Sequence, residues 1–305
     1  MSAPEPNPGS RSVSCHRRNG SGVSSESDTL VVEEPLELRV DGTAVATVMR
    51  TPGSDRNLAL GFLLTEGWIS TTADVGVLSL CIQKPASRQG THPVPSHQGA
   101  EETEENVANL RAPSGVLLRD PADTPRRLPA TSSCGVCGKR TIDEVLARTP
   151  LERTPTAGAD PARIETEDWK VAESTLLRMP QQLREKQQIF QTTGALHAAG
   201  IFTDSGELLH LEEDVGRHNA VDKVIGWAFL QGRLPLRRHL LQVSGRVSFE
   251  IVQKAYAAGI PFLSGVSGVS SLAVDLARSA GVTVVGFLRG DSFNLYTHPE
   301  RIFVA

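Results

Sequence analysis

The sequence predicts an α/β protein, α+β overall, with a smaller N-terminal mixed domain ahead of a C-terminal α/β/α sandwich. Three observations carry this reading. Between His239 and Leu288 short, continuous apolar runs alternate with helical patterns, the signature of a parallel sheet with helices on its faces. Gly259 and Gly281 stand just past two of those helical patterns, where a left-handed C-terminal cap is expected. The first hundred residues instead show strand alternation around Asp41-Gly42, a strong hairpin signal.

The chain has 305 residues, enough for one large domain or two ordinary ones. Residues 1–28 are rich in Ser, Pro, Gly and Asn and are expected to be disordered, because they carry too little apolar surface to offset ordering entropy. Cys15 is read as an incidental residue of that tail. The N-terminal domain is placed at 29–149. Order is expected to begin near Leu30: Leu30 to Val32, Leu36 to Val40 and the return strand Ala44 to Met49 are its first strands. Ser54 is a candidate cap for a helix carrying Leu58, Phe62 and Leu63, and Val75 to Ile82 is a strand holding Cys81 as a core or edge residue. Lys84 to Asn106 is poor in apolar residues, contains three prolines and an acidic run, and reads as a surface insertion; His92 and His97 within it are read as solvated. Val107 to Leu110 and Gly115 to Arg119 are short strand candidates. Thr141 and Glu144 form a capping-box pattern over Ile142 to Arg148, and Thr149 to Pro161 reads as a linker.

The C-terminal domain is placed at 162–305. Asp168 to Met179 and Gln181 to Phe190 are helical segments expected to be split by Pro180. Ala195 to Phe202 and Leu208 to Glu212 are a strand pair around Asp204-Ser205-Gly206. Asn219 to Leu230 is a helix. His239–Val243, Ile260–Leu263 and Val282–Leu288 are strands that alternate with helices over Val247–Ala258 and Ser271–Ala280.

Bulk properties limit the functional classes. The net charge is −4, so no electrostatic footprint for nucleic acid exists, although a local basic pocket for a phosphate is compatible with it. No apolar run approaches the ~20 residues that span a bilayer, and the N-terminus has no apolar secretory core. The expectation is a cytoplasmic protein with no membrane contact. Four cysteines do not make a disulfide framework, and in a reducing compartment a C-x-x-C pair is catalytic, redox-active or metal-binding.

That pair lies in Thr131-Ser132-Ser133-Cys134-Gly135-Val136-Cys137-Gly138-Lys139-Arg140. Lys139, Arg140 and the helix starting after Thr141 favour the thiolate, which is the reactive form. The glycines allow close backbone approach. From the residues alone, three uses stay open: half of a zinc site, a thioredoxin-like redox pair, or a persulfide carrier. The zinc reading needs two more ligands, and Cys15 and Cys81 are badly placed to supply them.

Two further constellations stand out. Glu212-Glu213-Asp214-Val215-Gly216-Arg217-His218-Asn219, followed by Asp222-Lys223, reads equally as an anion-binding helix start or as a charged turn with local salt bridges. Ser244-Gly245-Arg246, Ser264-Gly265 and Ser267-Gly268-Val269-Ser270-Ser271 follow the strands of the expected parallel sheet. Their recurrence there suggests a ligand cleft, although close-packed turns use the same residues. His197 reads as a hydrogen-bonded structural histidine or a functional imidazole.

Jointly these pieces resemble the formate dehydrogenase accessory sulfurtransferases, the FdhD family. The matching segments are Arg50-Thr51-Pro52-Gly53, Gly61-Phe62-Leu63-Leu64-Thr65-Glu66-Gly67, Ser133 to Gly138, Thr193-Gly194 before His197-Ala198-Ala199, Glu213 to His218 with Asp222-Lys223, Ser244-Gly245-Arg246 with Glu250 to Lys254, Val285-Gly286-Phe287 and Tyr296 to Arg301. They span most of residues 31–305. The resemblance implies a C-terminal part similar to the cytidine deaminase fold, without zinc chemistry. It implies transfer of sulfur from a cysteine desulfurase to the molybdenum or tungsten bis-guanine-dinucleotide cofactor that serves formate dehydrogenase. That cofactor is a bound client, and no resident cofactor or metal is expected. The resemblance makes Cys134 the persulfide carrier with Cys137 assisting, and it places client contacts at Leu288, Arg289, Gly290, Asp291, Ser292 and Phe293. It also implies a homodimer. A binding-class alternative is a cofactor chaperone without sulfur chemistry. The chain departs from the family pattern at Ala195, at Val266 to Val269, and in residues 1–28 and 84–106.

Overall fold

The computed structural model describes residues 8–20, 22–82, 106–114, 141–147, 163–164 and 169–304. The surface insertion up to Glu105, the strand candidate at Gly115 to Arg119, the cysteine loop with Cys134, Cys137, Lys139 and Arg140, and the linker at 149–161 lie outside the described residues.

In chain order the elements are β1 (Ser10–Asn19), β2 (Gly22–Val31), β3 (Glu34–Val40), β4 (Thr43–Arg50), α1 (Asp55–Thr65), β5 (Val77–Cys81), β6 (Val107–Arg111) and α2 (Ile142–Leu146). They continue with β7 (Val171–Ala172), α3 (Glu173–Lys186), α4 (Gln188–Thr193), β8 (His197–Thr203), β9 (Leu208–Asp214), α5 (Arg217–Leu230), β10 (His239–Val243) and α6 (Phe249–Ala257). The last are β11 (Phe262–Gly265), α7 (Ser271–Ala280), β12 (Thr283–Arg289), β13 (Ser292–Leu295) and β14 (Ile302–Phe303).

A four-stranded sheet in the order β4-β3-β6-β5 forms the N-terminal part. Its β3–β4 hairpin turns at Asp41-Gly42, both at positive φ, the geometry that matches the twist of the flanking strands. Cys81 is exposed at the end of the edge strand β5. A six-stranded sheet, β13-β12-β11-β10-β8-β9, forms the C-terminal part. Only β10, β11 and β12 are mutually parallel; β8, β9 and β13 run antiparallel to their neighbours, so the sheet is mixed rather than parallel throughout. Alternate residues of its strands face opposite layers, as the pleat requires. Ile201, Leu241, Val243, Leu263 and Val284 join the core under α5, α6 and α7. Phe202, Leu240, Phe262, Val285 and Leu288 join a second core under α3, with Leu176, Met179 and Leu183. The result is the expected α/β/α layering.

The first core is continuous across both halves. It includes Leu36, Leu38 and Leu110 of the small sheet, Leu58 and Leu63 of α1, and Val221, Val224 and Ile225 of α5. α1 crosses α5 with two glycines in contact. A Cβ on Gly61 would lie 1.8 Å from the Asp222 carbonyl oxygen, and one on Gly226 would lie 1.8 Å from that of Asn57. Only glycine permits backbones to approach so closely.

Two expectations are corrected. Ser10–Asn19 and Gly22–Val31 pair as antiparallel strands, with Ser10 opposite Val31 and Asn19 opposite Gly22, where disorder was expected up to Asp28. Composition misses it because the order comes from a backbone ladder and polar cross-strand partners: Ser12 and Ser27 share a hydrogen bond (2.6 Å), and Arg17 pairs with Glu26 (3.1 Å). Strand β2 also rests on α4. Pro180 does not split the helices, for it lies inside α3, and the break falls at Gln187. Burial of Thr175, Leu176, Met179 and Leu183 on one face of α3 outweighs the backbone hydrogen bond that proline removes.

Candidate functional site

The strand ends of the larger sheet assemble the candidate site. Because β10, β11 and β12 are parallel, their carboxyl ends share one edge, and the antiparallel β8 begins at that edge with His197. Ser244 follows β10 and exchanges hydrogen bonds with Ala198 of β8: its N–H donates to the Ala198 carbonyl (2.9 Å), and its Oγ accepts from the Ala198 N–H (2.8 Å). Gly245 lets the His197 ring pack against the chain, since a Cβ there would lie 3.3 Å from Nδ1. Arg246 follows.

α5 points its N-terminus at the same edge. The preceding turn is built around Asp214, which is fully buried. Its Oδ1 accepts from Gly216 N–H (2.8 Å) and Asn219 Nδ2 (2.9 Å). Its Oδ2 accepts from Thr51 N–H (3.1 Å) and pairs with Lys223 Nζ at 2.8 Å. Lys223 also donates to the Thr51 and Glu213 carbonyls, Asn219 donates to the Met49 carbonyl (2.7 Å), and Val215 N–H donates to Thr51 Oγ1. Arg50-Thr51 and Glu213 to Lys223, two distant motifs in the sequence, therefore clasp each other. Arg50, itself fully buried, binds Asp55 (2.6 Å) and Glu34 (3.1 Å).

This accounting decides between the two readings of the charged turn for most of its members. Glu213 accepts from the Ile189 and Phe190 N–H groups and so caps α4. Glu212 binds Asn57 (3.0 Å) and His210 (2.9 Å). Burial pushes the Glu212 carboxyl up, but bonds from His210, Ser54 and Asn57 and the charge of Lys223 bring it below its ordinary value. The Ser54 hydroxyl is thus spent on Glu212; although Ser54 stands at the cap position of α1, its side chain makes no capping bond there. Asp222 belongs to a second buried cluster. It receives Lys254 Nζ on both oxygens (2.9 Å each) and Thr65 Oγ1 (2.8 Å), joining α1, α5 and α6. Burial still raises its pKa against the pull of Lys254.

Arg217 and His218 open α5 beside the strand-end cleft. The His197 imidazole is held below its ordinary pKa by burial, then by the positive charges of Arg217 and His218, opposed by Asp214, with Arg246 adding to the effect. The edge is therefore locally cationic although the whole chain is anionic. His218 is buried, its Nε2 lies 3.4 Å from Ser248 Oγ and 3.8 Å from Glu250, and it holds the Glu250 carboxyl down to about 2.

Other expected site residues separate. Ser264 is fully buried, donates to Gln242 (2.5 Å), and serves the sheet rather than the cleft. Ser270 caps α7 by accepting from Ala273 N–H (3.3 Å). Leu288 lies in the second core, with Phe293 packed against it. Arg289, Gly290, Asp291 and Ser292 are exposed in the β12–β13 hairpin, at the same sheet edge as Ser244. Gly290 adopts φ 61°, and Arg289 lies 5.5 Å over the Phe287 ring. Thr141 caps α2 in the expected box, accepting from Glu144 N–H (3.2 Å) while its own N–H donates to the Glu144 carboxylate (3.1 Å). Among the described residues no group of three His, Cys, Asp or Glu side chains is placed to hold a metal ion, and no helix is long and apolar enough to cross a membrane.

Sequence reasoning missed a cavity of about 480 Å³ beside the cleft, walled by the α3–α4 junction and the start of β8. The signal that could have found it was Gln187, an amide at a helix break that Pro180 obscured.

Comparison with known proteins matches this architecture throughout. A family model described as the FdhD/NarQ family matches residues 31–303. The sulfur carrier protein FdhD of Mycolicibacterium paratuberculosis is 50% identical over 275 residues, covering 90% of this chain and 92% of that protein. That of Mycobacterium tuberculosis is 47% identical over 297 residues (95% and 99%), and that of Sulfolobus acidocaldarius 39% over 285 residues (93% and 95%). A crystal structure assigned as a formate dehydrogenase accessory protein from Desulfotalea psychrophila superposes with a TM-score of 0.69 at 21% identity, covering 97% of this chain and all of that one, which establishes the shared fold.

Proposed function

From the premise that the chain belongs to the FdhD/NarQ family, we propose that it is a sulfur carrier acting in formate dehydrogenase maturation. The observation that carries this reading is the Cys134-Gly135-Val136-Cys137 motif in a chain up to 50% identical to proteins named sulfur carriers. Cys134 accepts sulfur from a cysteine desulfurase. Its thiolate attacks the terminal sulfur of the donor persulfide; the donor S–S bond breaks, the donor leaves as thiolate, and Cys134 holds the new S–S bond with no net redox change. In delivery, the Cys137 thiolate attacks Cys134 Sγ and releases the terminal sulfur as hydrosulfide to the client. The resulting Cys134–Cys137 disulfide is reopened by a cellular dithiol.

The client in this reading is the molybdenum or tungsten bis-guanine-dinucleotide cofactor. The cationic strand-end cleft supports it: the positive charges of Arg217 and Arg246 beside His197 would favour anionic phosphates, and the exposed Arg289 to Ser292 hairpin stands at the same edge. The protein works in the cytoplasm as a homodimer.

The test is to load the full chain with a desulfurase and cysteine and weigh the intact protein. Wild type gains one sulfur atom on Cys134, and Cys134→Ser gains none and fails to activate formate dehydrogenase. A Cys134→Ser variant that activates the enzyme fully would replace the sulfur carrier with a cofactor chaperone.

A further inference from the structure

The larger sheet ends at β9, which pairs only with β8 among the described residues. Along an antiparallel strand, successive residues aim their N–H and C=O groups at opposite neighbours. Ala198 exchanges hydrogen bonds with Ser244, on the β10 side of β8. Ala199 and Ile201 therefore turn toward β9 and meet the backbones of Glu212 and His210, their opposites in the register. By the same alternation Leu211 and Glu213 aim away from β8. The Glu213 carbonyl accordingly accepts from Lys223 Nζ of α5 (3.1 Å) rather than from a strand. The Leu211 N–H and carbonyl and the Glu213 N–H have no partner among the described residues. An open edge of this kind is a template for one more strand.

The edge lies in a groove of about 490 Å³, lined by Leu211 and Glu213 with Ile189 of α4, Pro52 and Ser54 of the turn before α1, and Pro8. Pro8 is held there by its neighbours: the Gly9 carbonyl accepts from Val32 N–H (2.9 Å), and β2 rests on α4. Residues 1–7, outside the described residues, are thus tethered at the groove itself. Fully extended, seven residues reach roughly 23 Å, against roughly 7 Å from Leu211 to Glu213.

The sequence of this segment matches a one-sided edge. Proline stands at every second position, Pro4, Pro6 and Pro8, alternating with Ala3, Glu5 and Asn7. In an extended chain the prolines share one side and the other three residues share the opposite side. Proline has no N–H, so the pattern keeps the donors of Ala3, Glu5 and Asn7 and removes those of the far side. Each residue that precedes a proline is also biased toward extended backbone.

We propose that residues 1–7 dock on β9 as a seventh strand of the larger sheet, with Ala3, Glu5 and Asn7 on the pairing side and the prolines turned away. The segment fills the groove and presents a donor-free outer edge, which seals the sheet against addition of another chain. The seal is independent of the sulfur chemistry of Cys134.

Hydrogen exchange, followed residue by residue by NMR, tests this on the full-length protein. The Leu211 and Glu213 amides are protected there, and a protein lacking residues 1–7 exchanges both at least about tenfold faster. The Glu212 amide, which faces β8, stays protected in every variant and reports that the sheet is intact. Glu5→Pro removes a donor from the pairing side and reproduces the deletion, whereas Glu5→Ala keeps the protection. The proposal is overturned if Leu211 and Glu213 exchange freely in the full-length protein, if their protection survives the deletion, or if Glu5→Pro protects them as well as Glu5→Ala does. Protection that survives the deletion but falls on dilution assigns the edge to a second copy of the chain instead.

Discussion

Substituting Gly226→Ala tests how the two halves are joined. The added methyl would lie 1.8 Å from the Asn57 carbonyl oxygen and 2.9 Å from the Gly61 nitrogen, both backbone atoms that cannot rotate away. An ordinary contact requires α1 and α5 to separate by about 1.5 Å. The bonds that tie α5 to α1 and to the segment before it, Thr65 to Asp222 at 2.8 Å and Lys223 to the Thr51 carbonyl at 2.9 Å, are then stretched beyond hydrogen-bonding range. Overpacking costs about 1–3 kcal/mol. A stretched bond to a charged group adds about 1.5–3 kcal/mol, and alanine in place of glycine in a helix returns roughly 1 kcal/mol. The net loss is about 1.5–5 kcal/mol, which lowers Tm by roughly 3–20 °C in a chain of this size. Circular dichroism melting and urea titration read it, with Gly20→Ala, where a Cβ meets nothing within 4 Å, as the control. A Gly226→Ala protein that melts at or above the wild-type temperature would refute the close crossing.

Lys223→Met strands the fully buried Asp214 carboxylate and is expected to cost about 3–5 kcal/mol in urea unfolding, with part regained in Lys223→Met/Asp214→Asn. Thr141→Ala removes the capping box of α2 and is expected to destabilise the chain by about 1 kcal/mol. The His218 interaction places the folded Glu250 pKa at about 2, below its unfolded value of 4.5, so its stabilising contribution is full above pH 4.5 and fades as pH falls toward 2. The Tm difference between wild type and Glu250→Gln should accordingly shrink across that window, and a difference that stays constant with pH would remove the pair from the account.

Much of the architecture was legible because it is written in local chemistry. The strand and helix alternation from His239 onward, the glycines at 259 and 281, the Asp41-Gly42 turn and the Thr141 box all signal through neighbours in sequence, and all appear in the structure. Strand direction did not: β8 runs antiparallel to β10 through pairing of residues 36 to 44 positions apart in the chain, which periodicity does not encode. The first hairpin was hidden because its backbone ladder leaves no apolar trace. At the charged turn, composition could not reveal that Thr51 and Met49 consume Asp214, Lys223 and Asn219. The cysteine motif lies outside the described residues; its residue types suggest reactive thiol chemistry, and the choice among its uses rests on resemblance.

The continuous core has a consequence for how the molecule comes apart. α5 is buried from His218 through Gly226, by the large sheet on one side and by α1 on the other. Neither half can leave without exposing that helix, so the chain is expected to unfold in one cooperative step rather than half by half. A C-terminal fragment cut within the linker would present an uncovered apolar strip along α5 and self-associate. The cut therefore severs a polypeptide connection without releasing an independent folding unit, and the amides of α5 should be among the last to exchange with solvent.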